Sequence, residues 1–345
     1  MKEILFGKTL KELQAVATEL DLPSYSAKQM AEWMYKKNIQ SIDEMTNLSK
    51  KNRETLQSKY ILGTSPFAKV QISTDGTKKY LFPSSQDLFI EAAFIPESER
   101  ATLCISSQVG CKMGCLFCMT GKQGFQGNLT TGEIMNQVKS LPEHNILTNI
   151  VFMGMGEPLD NLHNVLKATE ILTAGYGWAW SPKRITVSTI GIIPAMKEFI
   201  EKSNCHLAVS LHSPFHEERL ELMPVESVYP AEEVVDVLKS YDIGRQRRIS
   251  FEYIMFKGVN DTPNHVKKLT KLLHGLRCRI NLIRFHPIPD TPLHGSDDET
   301  IFRFKDDLNN KGILTTVRAS RGQDIFAACG LLSTQNYMKK VQKDY

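Results

Sequence analysis

The sequence predicts an α/β fold: a partial (β/α)6 TIM-like barrel preceded by a small N-terminal accessory domain of helices and a β-hairpin. Three observations carry this. From about residue 100, β-rich runs and helical stretches alternate six times. Before residue 95 the texture differs, helical to about residue 62 and then β-rich. A chain of 345 residues is long for one average domain and short for three, which suits one large body with an appendage.

In chain order, TLKELQAVATELDL places Leu10, Leu13, Val16, Ala17 and Leu20 at helical spacing. SAKQMAEWMYKK has Ser26 as its expected N-cap and Met30, Trp33 and Met34 on one side. A third short helix is expected from Leu48. KVQISTDGTKKYLF reads as a hairpin turning at Asp75-Gly76, and DLFIEAAFIP as a third strand. The expected divisions are an accessory domain over 1–95, a core over 96–335 and a tail over 336–345.

The core strands are expected at 102–108, 149–154, 184–189, 206–211, 249–256 and 279–285. Helices are expected near 131–141, 162–175, 192–203, 230–241, 263–276 and 298–311. Each spacer is long enough for a right-handed crossover, which makes neighbouring strands parallel. A doubly wound sheet is the structural alternative. In a barrel the chemistry gathers at the C-terminal strand ends. Polar or metal-binding groups recur there: the cysteines after the first strand, GMGEP after the second, Ser188-Thr189, Ser210-Leu211-His212, and Arg284-Phe285-His286.

Composition narrows the function classes. Hydrophobic residues make up 41% and charged residues 23%, a balance too apolar for a disordered chain. No apolar run approaches the roughly 18 residues of a membrane-spanning helix. The opening MKEILFGKTLKELQ carries acids early and lacks a small-residue cleavage site, so no signal peptide is expected. Net charge is only +4, but residues 239–284 hold eleven Lys/Arg against three Asp/Glu. Such a surplus is either a phosphate-facing surface or a solvated helix face. In GYGWAWSPKR, Tyr176, Trp178 and Trp180 stand beside Lys183 and Arg184. That is either a mobile base-stacking loop or rim packing.

Seven cysteines, an odd number with three crowded between 111 and 118, do not form a disulfide framework and point to a reducing cytoplasm. Cys111, Cys115 and Cys118 have the spacing C-x3-C-x2-C, with Gly110 and Gly114 letting the backbone wrap closely. Three thiolates on one tight loop suit three irons of a four-iron cluster, leaving the fourth iron open. The alternative is a zinc site completed by a distant histidine.

CxxxCxxC with an aromatic before the last cysteine resembles the signature of radical SAM enzymes. The longer string ATLCISSQVGCKMGCLFCMTGKQGF is similar to the RlmN/Cfr family of radical SAM RNA adenosine methyltransferases. The likeness continues through VFMGMGEPLDN, RITVSTIG, LAVSLHSP, INLIRFHPIP and SRGQDIFAACG. It implies a [4Fe–4S] cluster on Cys111, Cys115 and Cys118. It also implies S-adenosylmethionine (SAM) contacts at Gly156, Glu157, Ser188, Ser210, Leu211 and His212. His286 stands where many relatives carry Asn, and would be a further contact.

The resemblance implies two SAM molecules per turnover. Cys329 thiolate takes the methyl group of the first. The radical derived from the second removes a hydrogen from that methyl group, and the carbon then adds to adenine. Cys104 attacks the sulfur of Cys329, forming a disulfide and releasing RNA, so turnover needs a reductant. Glu91 is implied as proton acceptor. Cys205 and Cys278 match no motif and read as structural.

The implied substrates are 23S ribosomal RNA, at C2 of an adenosine in the peptidyl transferase centre, and adenosine 37 of certain tRNAs. A Cfr-like C8 methylation conferring antibiotic resistance is the rival. The GMGEPLDN and ATLCISSQVGC strings favour RlmN. An iron–sulfur RNA-binding protein without catalysis and a glycyl-radical activase are the readings from other classes. An electron donor such as flavodoxin or ferredoxin, a monomeric state and a cytoplasmic location complete the expectation.

Overall fold

A computed structural model describes residues 2–37, 39–84, 87–244 and 247–334. The expected tail at 336–345 lies outside them. Three helices, α1 (Leu10–Glu19), α2 (Ser26–Tyr35) and α3 (Lys50–Lys59), come first, bracketed by the parallel pair β1 (Glu3–Ile4) and β2 (Tyr60–Ile61). Thr9 and Glu12 start α1 as a reciprocal cap, the Thr9 N–H donating to Glu12 Oε2 at 2.7 Å. Ser26 is not the N-cap of α2 but its first residue. Tyr25 is already helical (φ −68°, ψ −18°) because the Ser26 N–H closes a turn onto Pro23 O at 2.8 Å.

The antiparallel strands β3 (Lys69–Ile72), β4 (Lys78–Pro83) and β5 (Phe89–Pro96) follow. Next come β6 (Ala101–Cys104), the short pair β7 (Gln108–Val109) and β8 (Gly127–Asn128), and the helices α4 (Met119–Gln123) and α5 (Thr131–Lys139). Alternation continues as β9 (Asn149–Phe152), α6 (Leu162–Thr173), β10 (Ile185–Thr189), α7 (Ile193–Lys202) and β11 (His206–Ser210). After α8 (His216–Leu222) and α9 (Ala231–Ser240) come β12 (Ile249–Met255), α10 (Pro263–Leu273), β13 (Cys278–Arg284), α11 (Asp298–Asn310) and β14 (Leu314–Val317).

One ten-stranded sheet runs β14-β13-β12-β11-β10-β9-β6-β5-β4-β3. From β6 to β14 its strands are parallel and in sequence order, the open curl of a partial barrel. Helices alternate with these strands, and β12, in the middle of the run, is buried along its whole length. The core is continuous from Leu5 to Leu332, joining the N-terminal helices to the sheet.

The structure differs from the sequence expectation in three ways that matter for the site. The first core strand leaves the sheet at Cys104 instead of running to 108. The Ile105 and Ser107 N–H groups turn to Val151 O and Met155 O, and the chain re-pairs only at β7. A further parallel strand, β14, lies beyond the six expected. The hairpin strands extend the same sheet through the β5–β6 pair, with Ala93 opposite Cys104.

Candidate active site

The C-terminal ends of the parallel strands open into one cavity of about 160 Å³. Cys111, Cys115 and Cys118 line it, as do Gly156, Glu157, Ser188, Ser210, His212 and Cys329. Leu211, His286, Glu91 and Cys104 do not.

The cysteine loop is shaped by its glycines. Gly110 has φ +72°, and a Cβ there would meet Gly124 O at 1.7 Å, so no side chain fits. Cys111 N–H donates to that same oxygen at 3.2 Å, and the Leu116 N–H to Leu222 O at 3.0 Å, tying the loop to α8. Burial pushes the Cys111 thiol up to about 12 and the Cys115 thiol well above its ordinary value.

These residues fit an iron–sulfur cube. Buried neutral thiols crowded on one loop become favourable thiolates only against a strong positive charge, which iron supplies. Among the described residues, no three His, Cys, Asp or Glu converge on a single ion. A cube asks for one thiolate per iron, not for such convergence.

Glu157 is buried, and burial raises its carboxyl to about 7 although Oε1 accepts from Leu159 N–H and Oε2 from Ile190 N–H, each at 3.0 Å. The Thr189 side chain also hydrogen-bonds to this carboxylate, which leaves one lone-pair site for an ammonium group. The glycines flanking Met155 serve the protein's own packing: a Cβ on Gly154 would sit 2.7 Å from Ile105 O, and one on Gly156 2.4 Å from Gln108 Cβ. His212 Nδ1 accepts from Ile254 N–H at 3.0 Å, which leaves the proton on Nε2. Burial lowers this imidazole to about 3, so it is a neutral donor.

Leu211 is buried outside the cavity, its N–H donating to Glu252 O at 3.0 Å and its O accepting from Arg219 Nε at 3.1 Å. Arg219 is a site residue that sequence reasoning missed. Fully buried on α8, it pairs with Glu226 and also donates to Ile190 O (2.9 Å) and Ser210 O (3.2 Å), bracing two strand ends. His286 turns away from the cavity because Phe285 packs its ring on Phe256 (5.1 Å) and Gln323 engages His286 Nδ1.

Cys329 is exposed and lines this open cavity; the surrounding protein raises its thiol pKa by desolvation, and the Arg318 guanidinium opposes the rise. Cys104 is buried behind it with Ala93, Ile325 and Ala327, its thiol pushed to about 12 by burial and then by Cys329. Both thiols are free. The Cys329 segment is stitched to the rest at several points. Ser73 Oγ donates to Asp324 Oδ1 at 2.5 Å, Gly322 N–H to Asp75 Oδ2 at 2.9 Å, and Met119 N–H to Gly330 O at 2.8 Å. Glu91 sits under this segment, paired with Lys79 at 3.0 Å and accepting from the Ser333 N–H.

The expected RNA-facing groups divide. Trp178 packs edge-on against Tyr35 (6.4 Å), and the Trp178 and Trp180 N–H groups are bonded to α6, so this loop is packed rim. A groove still opens there, lined by Lys36, Lys37, Lys139, Trp180 and Arg184. Arg247 of the basic 239–284 segment turns inward, donating to Ile200 O at 2.9 Å beside the Phe199 ring.

A partial barrel with a three-cysteine loop and a continuous strand-end cavity defines a radical SAM protein. Residues 105–272 match the radical SAM superfamily, and residues 4–62 match the ribosomal RNA large subunit methyltransferase N-terminal domain. The chain is 59% identical over 333 residues to the probable dual-specificity RNA methyltransferase RlmN of Parabacteroides distasonis, covering 96% of this chain and 97% of that one. It is 42% identical over 337 residues to RlmN of Syntrophus aciditrophicus, covering 96% and 97%. A crystal structure of a radical SAM methyltransferase from Sphaerobacter thermophilus superposes with a TM-score of 0.89 at 38% identity, covering 96% of this chain and 99% of that one. The chain belongs to the RlmN family. Membership implies SAM and a [4Fe–4S] cluster as cofactors. No helix among the described residues is long and apolar enough to cross a membrane.

Proposed function

We propose that this chain methylates C2 of an adenosine in 23S ribosomal RNA and of adenosine 37 in certain tRNAs, through a methyl group carried on Cys329. The observation that carries this is that Cys329 lines the same cavity as Cys111, Cys115 and Cys118, with Cys104 buried beside it. A polar methyl transfer fails at C2 of adenine, an aromatic carbon that is not nucleophilic. Bound at this site, the cluster and two SAM molecules per turnover supply a transferable methyl group and a hydrogen-abstracting radical.

The chain's own residues do the rest. Cys111, Cys115 and Cys118 hold the cluster. Glu157 pairs with the SAM ammonium, and Gly156, Ser188, Ser210 and His212 line the remaining contacts, with Leu211 holding Ser210 and His212 in place through its own backbone hydrogen bonds. Arg318 favours the Cys329 thiolate, the form that accepts a methyl group. Cys104 resolves the covalent RNA adduct by attacking Cys329 sulfur. Glu91 takes the proton from the substituted carbon once the Ser333 N–H releases it; its carboxyl, raised by burial, suits a base. His286 positions Gln323 on the Cys329 segment and is not retained as a SAM contact.

Residues 1–95 would serve as the accessory RNA-binding part and 96–335 as the catalytic core. A monomeric, cytoplasmic enzyme fed by flavodoxin or ferredoxin completes the reading. Mass spectrometry of nucleosides from treated RNA tests it: 2-methyladenosine is expected, and 8-methyladenosine alone would transfer the chain to the Cfr-like reaction.

A further inference from the structure

Resting on the adenosine methylation above, we propose that Glu252 and Arg318 read the Watson–Crick edge of the target adenine. Glu252 accepts from the exocyclic N6 amino group, and Arg318 donates to N1.

Glu252 is an acid in the middle of β12, a strand buried along its whole length, and it lines the cavity. Its Oε1 is fixed by Asn281 Nδ2 at 2.8 Å and Ser250 Oγ at 3.3 Å, and Asn281 Oδ1 is in turn held by Thr316 Oγ1 at 2.9 Å. Its Oε2 is buried and has no hydrogen-bond partner. The nearest cation, Arg318 Nη1, stands 3.6 Å away, beyond hydrogen-bond reach. Arg318 also lines the cavity, and that nitrogen donates to the soft sulfur of Met153 at 3.3 Å. A buried carboxylate oxygen that has an ion pair at 3.6 Å but no hydrogen bond is under-satisfied, and a donor entering the cavity would complete it.

The pair has a definite pattern: one acceptor beside one donor. Adenine presents the complement, an amino donor at N6 beside an acceptor at N1. Guanine and inosine present the reverse, an O6 acceptor beside an N1–H donor. Enzymes that act on an extruded base read this edge. Both residues lie within electrostatic reach of Cys329, the carbon donor in the proposed reaction. The next ring position after N1 is C2, while C8 lies at the far end of the base. Holding N6 and N1 therefore keeps C2 on the Cys329 side and turns C8 away.

The test uses the cluster-loaded full chain and RNA hairpins carrying adenosine, purine riboside (no amino group) or inosine at the modified position. Hairpin affinity, methylation kcat/KM and SAM affinity are measured separately. The unaltered chain should favour adenosine over purine riboside by about 100-fold or more, because a site built for an N–H is left unpaired by an analogue lacking it. Glu252→Ala should bring that ratio within about tenfold by losing only against adenosine. Glu252→Gln, which keeps volume and gains a donor, should bind the inosine hairpin better than the unaltered chain does. SAM affinity should hold in both variants. An adenosine preference that survives Glu252→Ala, or a SAM affinity that falls in parallel, overturns the inference. If the unaltered chain fails to methylate the adenosine hairpin, the functional reading fails instead, and the affinity ratios still decide the role of Glu252.

Discussion

The backbone N–H of Ser333 donates to Glu91 Oε2 at 3.0 Å, joining the segment that carries Cys329 to strand β5. The other Glu91 oxygen pairs with Lys79 at 3.0 Å, with both side chains almost wholly buried. Glu91 thus neutralises a buried cation and also faces the loop that moves in the proposed reaction. Glu91→Ala should cost about 3–5 kcal/mol in urea unfolding, because Lys79 is left buried and unpaired. Replacing both, Glu91→Leu with Lys79→Met, should restore most of that stability. Methylation should stay lost in the double variant. Its recovery would remove Glu91 from the reaction.

Arg219 predicts a second stability effect. Its guanidinium serves Glu226 and the carbonyls of Ile190, Ser210 and Leu211 at once. Lys cannot reproduce that fork. Arg219→Lys should lower the melting temperature and weaken SAM binding together, since the two strand ends proposed to contact SAM lose their brace. Arg219→Met should destabilise by about 3–5 kcal/mol, through the unpaired Glu226.

Much of this was legible in the sequence. The six parallel strands announced themselves as apolar runs between amphipathic helices, and the glycine-flanked cysteine loop by its spacing. Strand β14 was not legible: LTTV is four residues at a sheet edge with Leu314 exposed, so it lacks the apolar run of its neighbours. The partnership of Asp324 with Ser73 spans some 250 positions and leaves no local pattern. Glu252 did leave a signal, a lone acid inside ISFEYIM, but a charge in a strand means little until the strand proves buried on both faces.

Glu157 makes stability depend on pH. Its carboxyl is raised from 4.5 to about 7, so between those values the fold holds a proton that the unfolded chain has lost. Stability therefore falls as pH rises from 4.5 to 7 and levels above, by on the order of 3 kcal/mol. The cluster-free chain should show this slope in unfolding titrations. Glu157→Gln should flatten it, and the difference between the two curves isolates Glu157 from the buried histidines. SAM binding should strengthen over the same interval, because the ionised form pairs with the ammonium.

Gly110→Ala tests the loop. With a Cβ placed 1.7 Å from Gly124 O, the backbone must open. Iron and sulfide content after reconstitution should drop several-fold while far-UV circular dichroism stays unchanged. Normal cluster content would show that the close wrap is not needed.

The most direct measurement is the mass of the Cys329 peptide from the cluster-loaded chain incubated with SAM and reductant, without RNA. A single added methyl group on Cys329, absent in a Cys118→Ala chain that cannot hold the cluster, is the predicted result. RNA methylated in the same preparation by a chain whose Cys329 never carries a methyl group would contradict it.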